Sequence, residues 1–195
     1  MDLHAWRRRI RDYRDITNVG PIIRRYFVIG AFDGALTILG VIVGATVAGA
    51  TEDHRGILLL TSVSAAIGLS VSSAVGAYEA ERIEKKLDQW TLERAMLSKM
   101  SEEHKDAFRF AAILSATVHG IAPLIAALLP LVPFLFLDIR TATLAAIVVT
   151  LGLLFAIGAY LGSLVRERFF FTAFRFAAAG LATALVLLLL GPAAL

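Results

Sequence analysis

Long apolar runs separated by short charged segments dominate the hydropathy pattern of this chain. A transmembrane helix needs about 20 consecutive, mainly apolar residues, because it must cross a hydrocarbon layer of about 30 Å. Five runs meet this requirement: 26–50, 57–78, 108–137, 141–165 and 169–190. The pattern therefore predicts an all-α polytopic membrane protein with five transmembrane helices.

The third run is longer than one span requires and contains Pro123, Pro130 and Pro133. Each proline removes a backbone donor from the helical hydrogen-bond ladder, which kinks or interrupts a helix. We therefore expect the third span to be kinked or broken near its end.

Two segments outside these runs are polar but helix-forming. Residues 2–17 repeat apolar side chains at helical spacing among arginines, which predicts an amphipathic helix on an anionic membrane surface; alternatively, the arginines only set the topology. Residues 79–107 contain no Gly or Pro, so we expect the second span to continue as a helix and a further helix to start at Ser101. The predicted organisation is a basic N-terminal segment, 1–25, before a five-helix domain, 26–195.

The distribution of Lys and Arg predicts the orientation of the spans. Of the 19 basic residues, 17 lie within residues 1–25, 79–109 and 166–175, at or next to the same ends of the spans. The two remaining connections contain only Arg55 and Arg140. This asymmetry predicts a cytoplasmic N-terminus, a cytoplasmic insertion at 79–107 and, after five spans, a C-terminus outside.

Composition narrows the functional classes further. Hydrophobic residues make up 58% of the chain, and there is no cysteine, which excludes disulfides, thiolate metal sites and cysteine nucleophiles. The sequence shows no hydrolase triad, phosphate-binding loop or zinc motif. We therefore expect a lipid-embedded protein without enzymatic activity, without a resident cofactor and without a nucleic-acid partner.

Asp33 is the only acidic residue within a predicted span. It follows Arg25 by eight positions, about 12 Å along a helix, which places it within the hydrocarbon region. A carboxylate there costs several kcal/mol unless it is hydrated, paired, protonated or metal-bound. The residue indicates a cation or proton site; the alternative is a structural aspartate hydrogen-bonded to a neighbouring helix.

His119 lies at a similar predicted depth on the third span. An imidazole can ligate a transition metal or relay a proton. The alternative is a structural histidine that donates to a backbone carbonyl freed by Pro123.

Acidic side chains cluster in the polar segment 79–107. Glu81, Glu84 and Asp88 fall on one helical face, and carboxylates with histidine suit Fe²⁺ or Mn²⁺. A second group follows: Glu102, Glu103, His104 and Asp106. The alternative is a solvated helix with ion pairs one turn apart, such as Glu81 with Lys85.

The two halves of the spanning region resemble each other weakly. Residues 74–78 and 156–160 share a Gly-Ala-Tyr pattern, and the pair Asp33-Gly34 occupies a place like that of His119-Gly120. A parallel repeat of this kind occurs in some transporters, although apolar helices also resemble one another by chance. Glycines four residues apart in the first span, such as those at 40 and 44, suit close helix packing within the chain or in a dimer.

Three of these segments resemble motifs of the vacuolar iron transporter family. Residues 26–37, Tyr-Phe-Val-Ile-Gly-Ala-Phe-Asp-Gly-Ala-Leu-Thr, are similar to its Gly-Ala-x-Asp-Gly signature in the first span. Residues 72–78 are similar to its Ser-Met-x-x-Gly-Glu-Tyr motif, and 120–124 to its Gly-x-x-Pro-Leu stretch. The resemblance covers nearly the whole chain after residue 20.

The resemblance implies a homodimer of five-helix subunits that moves Fe²⁺, and often Mn²⁺, out of the cytoplasm in exchange for protons. Asp33 matches the aspartate of the family's pathway. Two features depart from the family: Ser73 and Ala77 replace its second-span Met and Glu, and the long cytoplasmic metal-binding helices are reduced to 79–107. The chain thus resembles a divergent, prokaryotic branch in the plasma membrane.

These observations predict an exporter of divalent metal cations, with Asp33 as the ligand or proton carrier in the membrane. Glu79 and Glu81 would be the first ligands that a cation meets, and Glu84 and His119 complete the predicted metal-binding set. Replacing a thioether by the hydroxyl of Ser73 favours a harder ion such as Mn²⁺. The rival hypotheses are a membrane scaffold or assembly protein that kept the fold but lost the metal ligands, and a transporter of another small solute.

Overall fold

The computed structural model describes residues 3–164 and 168–194. These residues form six α-helices and two short 3₁₀ helices, Glu52–His54 and Leu129–Leu135, without any strand. The α-helices are α1 (Leu3–Thr17), α2 (Val19–Val47), α3 (Arg55–Met96), α4 (Glu102–Leu128), α5 (Ile139–Leu164) and α6 (Phe169–Ala194). The predicted all-α class is confirmed for the described part of the chain.

Five of the described helices, α2 to α6, are long and apolar enough to cross a membrane, as the hydropathy pattern predicted. They differ in how far their most apolar stretch is buried within the chain: 50% for α2 but 17% for both α3 and α6. Half of the apolar stretch of α2 is therefore buried against protein, whereas α3 and α6 present most of their apolar surface outward.

Helix α3 runs for 42 residues, from Arg55 to Met96, without interruption. The predicted span ended at residue 78, and the helix continues beyond it through the polar segment, as its many helix-forming residues indicated. It ends where Leu97 adopts a positive φ of 52° and the N–H of Ser98 donates to the carbonyl of Glu93.

The third span changes helix type, as its prolines predicted. Helix α4 begins at Glu102, one residue after the predicted start signal Ser101, and passes through Pro123 to Leu128. The chain then continues as a 3₁₀ helix from Leu129 to Leu135. The i→i+3 bonding of a 3₁₀ helix suits a segment in which Pro130 and Pro133 supply no N–H.

The predicted amphipathic segment forms α1, and its lie on a membrane surface stays a prediction. Its last residue, Thr17, donates a hydrogen bond of 2.6 Å from its hydroxyl to the carbonyl of Tyr13. Asn18 then adopts a positive φ of 43°, which ends the helix before α2 begins at Val19.

The chain divides into two compact units that cut across its long helices. The first unit comprises Met1–Ile29 and Val71–Ile121, and the second comprises Gly30–Ser70 and Ala122–Leu195. The second unit contains an apolar core of fully or nearly fully buried side chains: Ile38, Ile42, Leu58, Ala66, Ala127, Leu131, Phe134, Ala142 and Ala146.

Candidate functional site

Asp33 lies half-buried on α2, beside a very close contact between helices of the second unit. A Cβ atom on the neighbouring Gly34 would lie 2.6 Å from the Cα and 2.8 Å from the carbonyl carbon of Pro123. Only glycine allows the backbones of α2 and α4 to approach this closely. The contact thus brings together two of the predicted motifs, Asp33-Gly34 and the segment that ends in Pro123.

The backbone of α4 adds polar character near this contact. Pro123 has no N–H to donate to the carbonyl four residues earlier, at position 119. A carbonyl that loses its helical donor keeps its oxygen available for another hydrogen bond or for a cation. Pro123 therefore both packs against Gly34 and leaves a backbone carbonyl of α4 without its helical donor.

Glu81, a predicted metal ligand, is a buried carboxylate in the first unit. Only 2% of its side chain is exposed, and its Oε1 accepts a hydrogen bond of 3.1 Å from Nη2 of Arg25 on α2. The carboxylate is therefore compensated by Arg25, rather than by Lys85 as the helical spacing suggested.

His119 lies on α4 and contacts Tyr26. Its Nδ1 donates to the carbonyl oxygen of Tyr26 over 2.9 Å, and the two rings lie 5.0 Å apart. Since a carbonyl only accepts, Nδ1 carries the proton, and Nε2 of a neutral ring keeps its lone pair. The predicted structural alternative, a hydrogen bond to a carbonyl, is present, but the acceptor is Tyr26; the free Nε2 leaves the ligand or relay role open as well.

Arg25 and Tyr26 therefore connect two predicted site residues that lie 38 positions apart in the sequence. The guanidinium of Arg25 also lies 5.1 Å from the centre of the Tyr26 ring. Sequence reasoning missed both residues as site components. Their position just before the Gly-Ala-Phe-Asp-Gly motif was the available signal, but the partners are too distant in the chain to be inferred from spacing.

The other predicted ligands are more exposed. Glu79 forms an ion pair of 2.8 Å with Arg82, one turn along α3, and Glu84 lies on the solvent side of the helix. Across residues 3–164 and 168–194, no three His, Asp or Glu side chains come together as a metal-binding group. The predicted ligands are thus distributed along α2, α3 and α4, and their metal-binding role stays a prediction.

A cavity of about 320 Å³ in the first unit collects acidic side chains from α1 and α4. Asp12, Tyr13, Glu103 and Asp106 line it. Two of these carboxylates belong to the second acidic group found in the sequence, whereas Asp12 was not considered. It joins them because α1 packs on α4, where the rings of Tyr13 and Phe110 lie 5.7 Å apart.

The short connections around Glu52 and Asp138 are held together by charged hydrogen bonds in the second unit. Nη2 of Arg55 donates to Glu52 over 2.7 Å and to the carbonyl of Leu137 over 2.8 Å. The carboxylate of Asp138 caps α5 by accepting the N–H of Thr141 over 3.0 Å. That backbone hydrogen bond lowers the pKa of Asp138 below its ordinary value.

Comparison with known proteins extends the likeness seen in the motifs. Residues 92–192 match the profile of the VIT family. An uncharacterized protein of Methanocaldococcus jannaschii is 30% identical over 183 residues, which are 90% of this chain and 93% of that protein. Together with the Asp33-Gly34 motif packed on Pro123 and the five apolar helices, these matches show that the chain is a divergent member of the VIT family of membrane transporters.

Proposed function

We propose that this protein transports a divalent transition-metal cation, Fe²⁺ or Mn²⁺, out of the cytoplasm in exchange for protons. The observation that carries the proposal is the carboxylate of Asp33, half-buried on an apolar helix beside the Gly34–Pro123 contact. Membership of the VIT family supports metal-ion transport as the general activity. An acidic residue inside a span is costly and is typical of ion and proton pathways.

Asp33 would hold the cation or the exchanged proton within the membrane. A carboxylate supplies a hard oxygen ligand when ionised and carries a proton when neutral, so a single side chain can serve both parts of an exchange. The Gly34–Pro123 contact fixes the backbone next to this side chain, which suits a site that must keep its geometry.

Glu79, Glu81, Glu84 and His119 would pass the cation to or from that site. Arg25 compensates the charge of Glu81 until a cation replaces it, and Nε2 of His119 supplies a nitrogen ligand or a proton acceptor. The oxygen-rich set, with Ser73 in place of a thioether, favours Mn²⁺ over softer ions.

Topology and assembly complete the proposal. The basic residues favour a cytoplasmic N-terminus and an external C-terminus in a prokaryotic plasma membrane. The homodimer that the family resemblance implies would cover part of the outward apolar surface of α3, whose apolar stretch is only 17% buried within the chain.

Transport by purified protein in proteoliposomes tests the proposal directly. With Mn²⁺ or Fe²⁺ on one side and a pH-sensitive dye inside, the wild-type protein should couple cation movement to opposite proton movement. Asp33→Asn keeps the side-chain shape, so it should insert normally but abolish transport. The matched control is Asp53→Asn, which removes an exposed carboxylate from a connection between helices. Full transport by Asp33→Asn would refute the mechanism.

A specific observation also favours the rival function of a non-transporting scaffold. Glu79 and Glu81 are both engaged in ion pairs with arginines, and the described residues contain no ready group of three metal ligands. Under that hypothesis the wild-type protein would move none of the metals tested, although it would fold and insert normally. The same proteoliposome assay therefore separates the two functions.

A further inference from the structure

A strongly basic cavity lies between α3 and α4 in the first unit. Its volume is about 370 Å³, within the range of pockets that hold small ligands. Five cationic side chains line it: Arg82, Lys85, Lys86, Lys105 and Arg109. No acidic side chain is among the described residues that line it, so the interior of this cavity favours an anion.

Four of these five cations form ion pairs with acidic side chains that lie outside the cavity lining. Each partner is three residues away on the same helix, and 47% or more of its side chain is exposed, so the pairs are weak and easily exchanged. The pairs are Arg82–Glu79 at 2.8 Å, Lys85–Asp88 at 3.2 Å, Lys105–Glu102 at 2.6 Å and Arg109–Asp106 at 3.7 Å. By contrast, the side chains of Lys85 and Lys105 are only 16% and 28% exposed. Lys85 and Lys105 are thus more buried than the carboxylates with which they pair.

Aromatic and apolar side chains also line the cavity. Tyr78, Phe108 and Ala112 line it, and Nζ of Lys85 lies 5.6 Å from the centre of the Phe108 ring. Both helices change from charged to apolar sequence at this level, near Tyr78 on α3 and near Phe108 on α4. In a membrane protein such a change marks the level of the lipid headgroups, where tyrosine and basic residues concentrate.

We propose that this basic cavity binds a phosphate group. Two partly buried ammonium groups, of Lys85 and Lys105, and the more exposed cations around the same cavity provide the charge and the donors that a phosphate accepts. The apolar lining residues and the headgroup level favour the phosphate of an anionic lipid, while a free phosphate would use the same donors. The proposal concerns side chains outside the metal-binding set and is independent of transport activity.

Binding of short-chain phosphatidylglycerol to the full-length protein in detergent tests the site. The double variant Lys85→Gln/Lys105→Gln removes the two most buried cations of the cavity, and it should bind this lipid roughly tenfold more weakly than wild type. The matched control, Arg94→Gln/Lys99→Gln, removes two charges from exposed positions of the same unit that do not line this cavity, and it should bind as wild type does. Short-chain phosphatidylcholine, which carries no net charge, should bind weakly to all three proteins.

A parallel titration with inorganic phosphate distinguishes the two sources of the phosphate group. If phosphatidylglycerol raises the unfolding temperature of the wild-type protein and inorganic phosphate does not, the site binds a lipid headgroup. If inorganic phosphate also raises it, and the double variant loses this effect, the site binds a soluble anion. Equal binding of both probes by wild type and double variant would overturn the proposal, as would an equal loss in the control. If the double variant does not remain monodisperse, Lys105→Gln alone provides the same comparison, because its partner Glu102 is 84% exposed and tolerates the loss of the pair.

Discussion

The two compact units of this chain bring their helices together by different chemistry. In the first unit, Arg25 pairs with buried Glu81, and His119 donates to the backbone of α2. In the second unit, Gly34 and Gly158 allow direct backbone contact between helices, around a core of apolar side chains. The helices of the first unit thus meet through polar groups that can exchange partners, whereas the helix pairs at Gly34 and Gly158 in the second unit meet at close backbone contacts.

This difference indicates how the two units contribute to transport under the proposed function. An ion pair can open when a cation or a proton competes for the carboxylate. A close contact between two helix backbones at a glycine does not rearrange in this way, because no side chain there can move aside. Residues such as Glu81 and His119 are therefore suited to passing an ion, and the Gly34–Pro123 contact is suited to fixing Asp33. We therefore expect substitutions in the second unit to act through steric overlap of backbones, and substitutions in the first unit to act through the loss of an ion-pair partner.

The largest effect is expected for Gly34→Ala. Its new Cβ would lie 2.6 Å from the Cα of Pro123, and neither backbone can rotate aside as a side chain can. We expect unfolding free energy to fall by about 3 kcal/mol, at the upper end of the usual cost of overpacking, and transport to be lost. Thermal unfolding in detergent measures the loss.

Gly44→Ala on the same helix is the matched control for that substitution. A Cβ at Gly44 would meet no described atom within 4 Å, so the change should be neutral or should stabilise α2 slightly. If both alanine variants unfold at the wild-type temperature, the close contact at Gly34 does not exist in the membrane protein.

A smaller loss is expected for Gly158→Ala in α5. Its Cβ would lie 2.7 Å from both the Cα of Ala173 and the carbonyl oxygen of Thr172 on α6. We expect a cost of about 2 kcal/mol, measured as before. The counterpart in the predicted repeat, Gly76, meets no described atom within 4 Å, so Gly76→Ala should be tolerated. Equal destabilisation by the two variants would argue against different packing of the repeated segments.

The ion pair of the first unit should respond asymmetrically to the removal of its two partners. Arg25→Gln leaves the buried carboxylate of Glu81 without its cation and should cost about 1–2 kcal/mol, because a buried unpaired charge is unfavourable. Glu81→Gln leaves Arg25, whose side chain is 55% exposed, in contact with water and should cost less than about 1 kcal/mol. Chemical unfolding of both variants, with exposed Glu84→Gln as control, measures the difference. A larger loss in Glu81→Gln would contradict this account.

The sequence predicted local features of this fold well. The five spans follow from apolar runs, and the continuation of α3 to Met96 follows from helix-forming residues without Gly or Pro. The change of helix type after Leu128 follows from two closely spaced prolines. Each of these is a property of neighbouring residues, so it can be recognised in a single sequence.

Features that depend on distant partners could not be predicted in this way. Glu81 was expected to pair with Lys85, four residues along α3, but its partner is Arg25, 56 positions earlier. Likewise, the contact of Gly34 with Pro123 and the acidic cavity that includes Asp12 depend on which helices pack together. The motif likeness identified Asp33 and Pro123 as important, whereas the packing shows why a glycine follows Asp33 where α2 meets α4.

The smallest effect should come from Asp138, in the second unit, and it should depend on pH. The pKa of Asp138 is lowered mainly by the hydrogen bond from the N–H of Thr141, so the folded protein favours the carboxylate. A lowered folded pKa stabilises the fold above the ordinary aspartate pKa of about 4, and this contribution is lost as the pH falls through the lower, folded pKa. Asp138→Ala should therefore unfold at a slightly lower temperature than wild type at neutral pH, and the two should converge below pH about 4. Thermal unfolding between neutral and acidic pH measures this, with Asp53→Ala as an exposed control.

Since α5 is otherwise held by contacts such as Gly158 with Ala173, a large loss at neutral pH would show that the second unit depends on charge more than its backbone contacts imply.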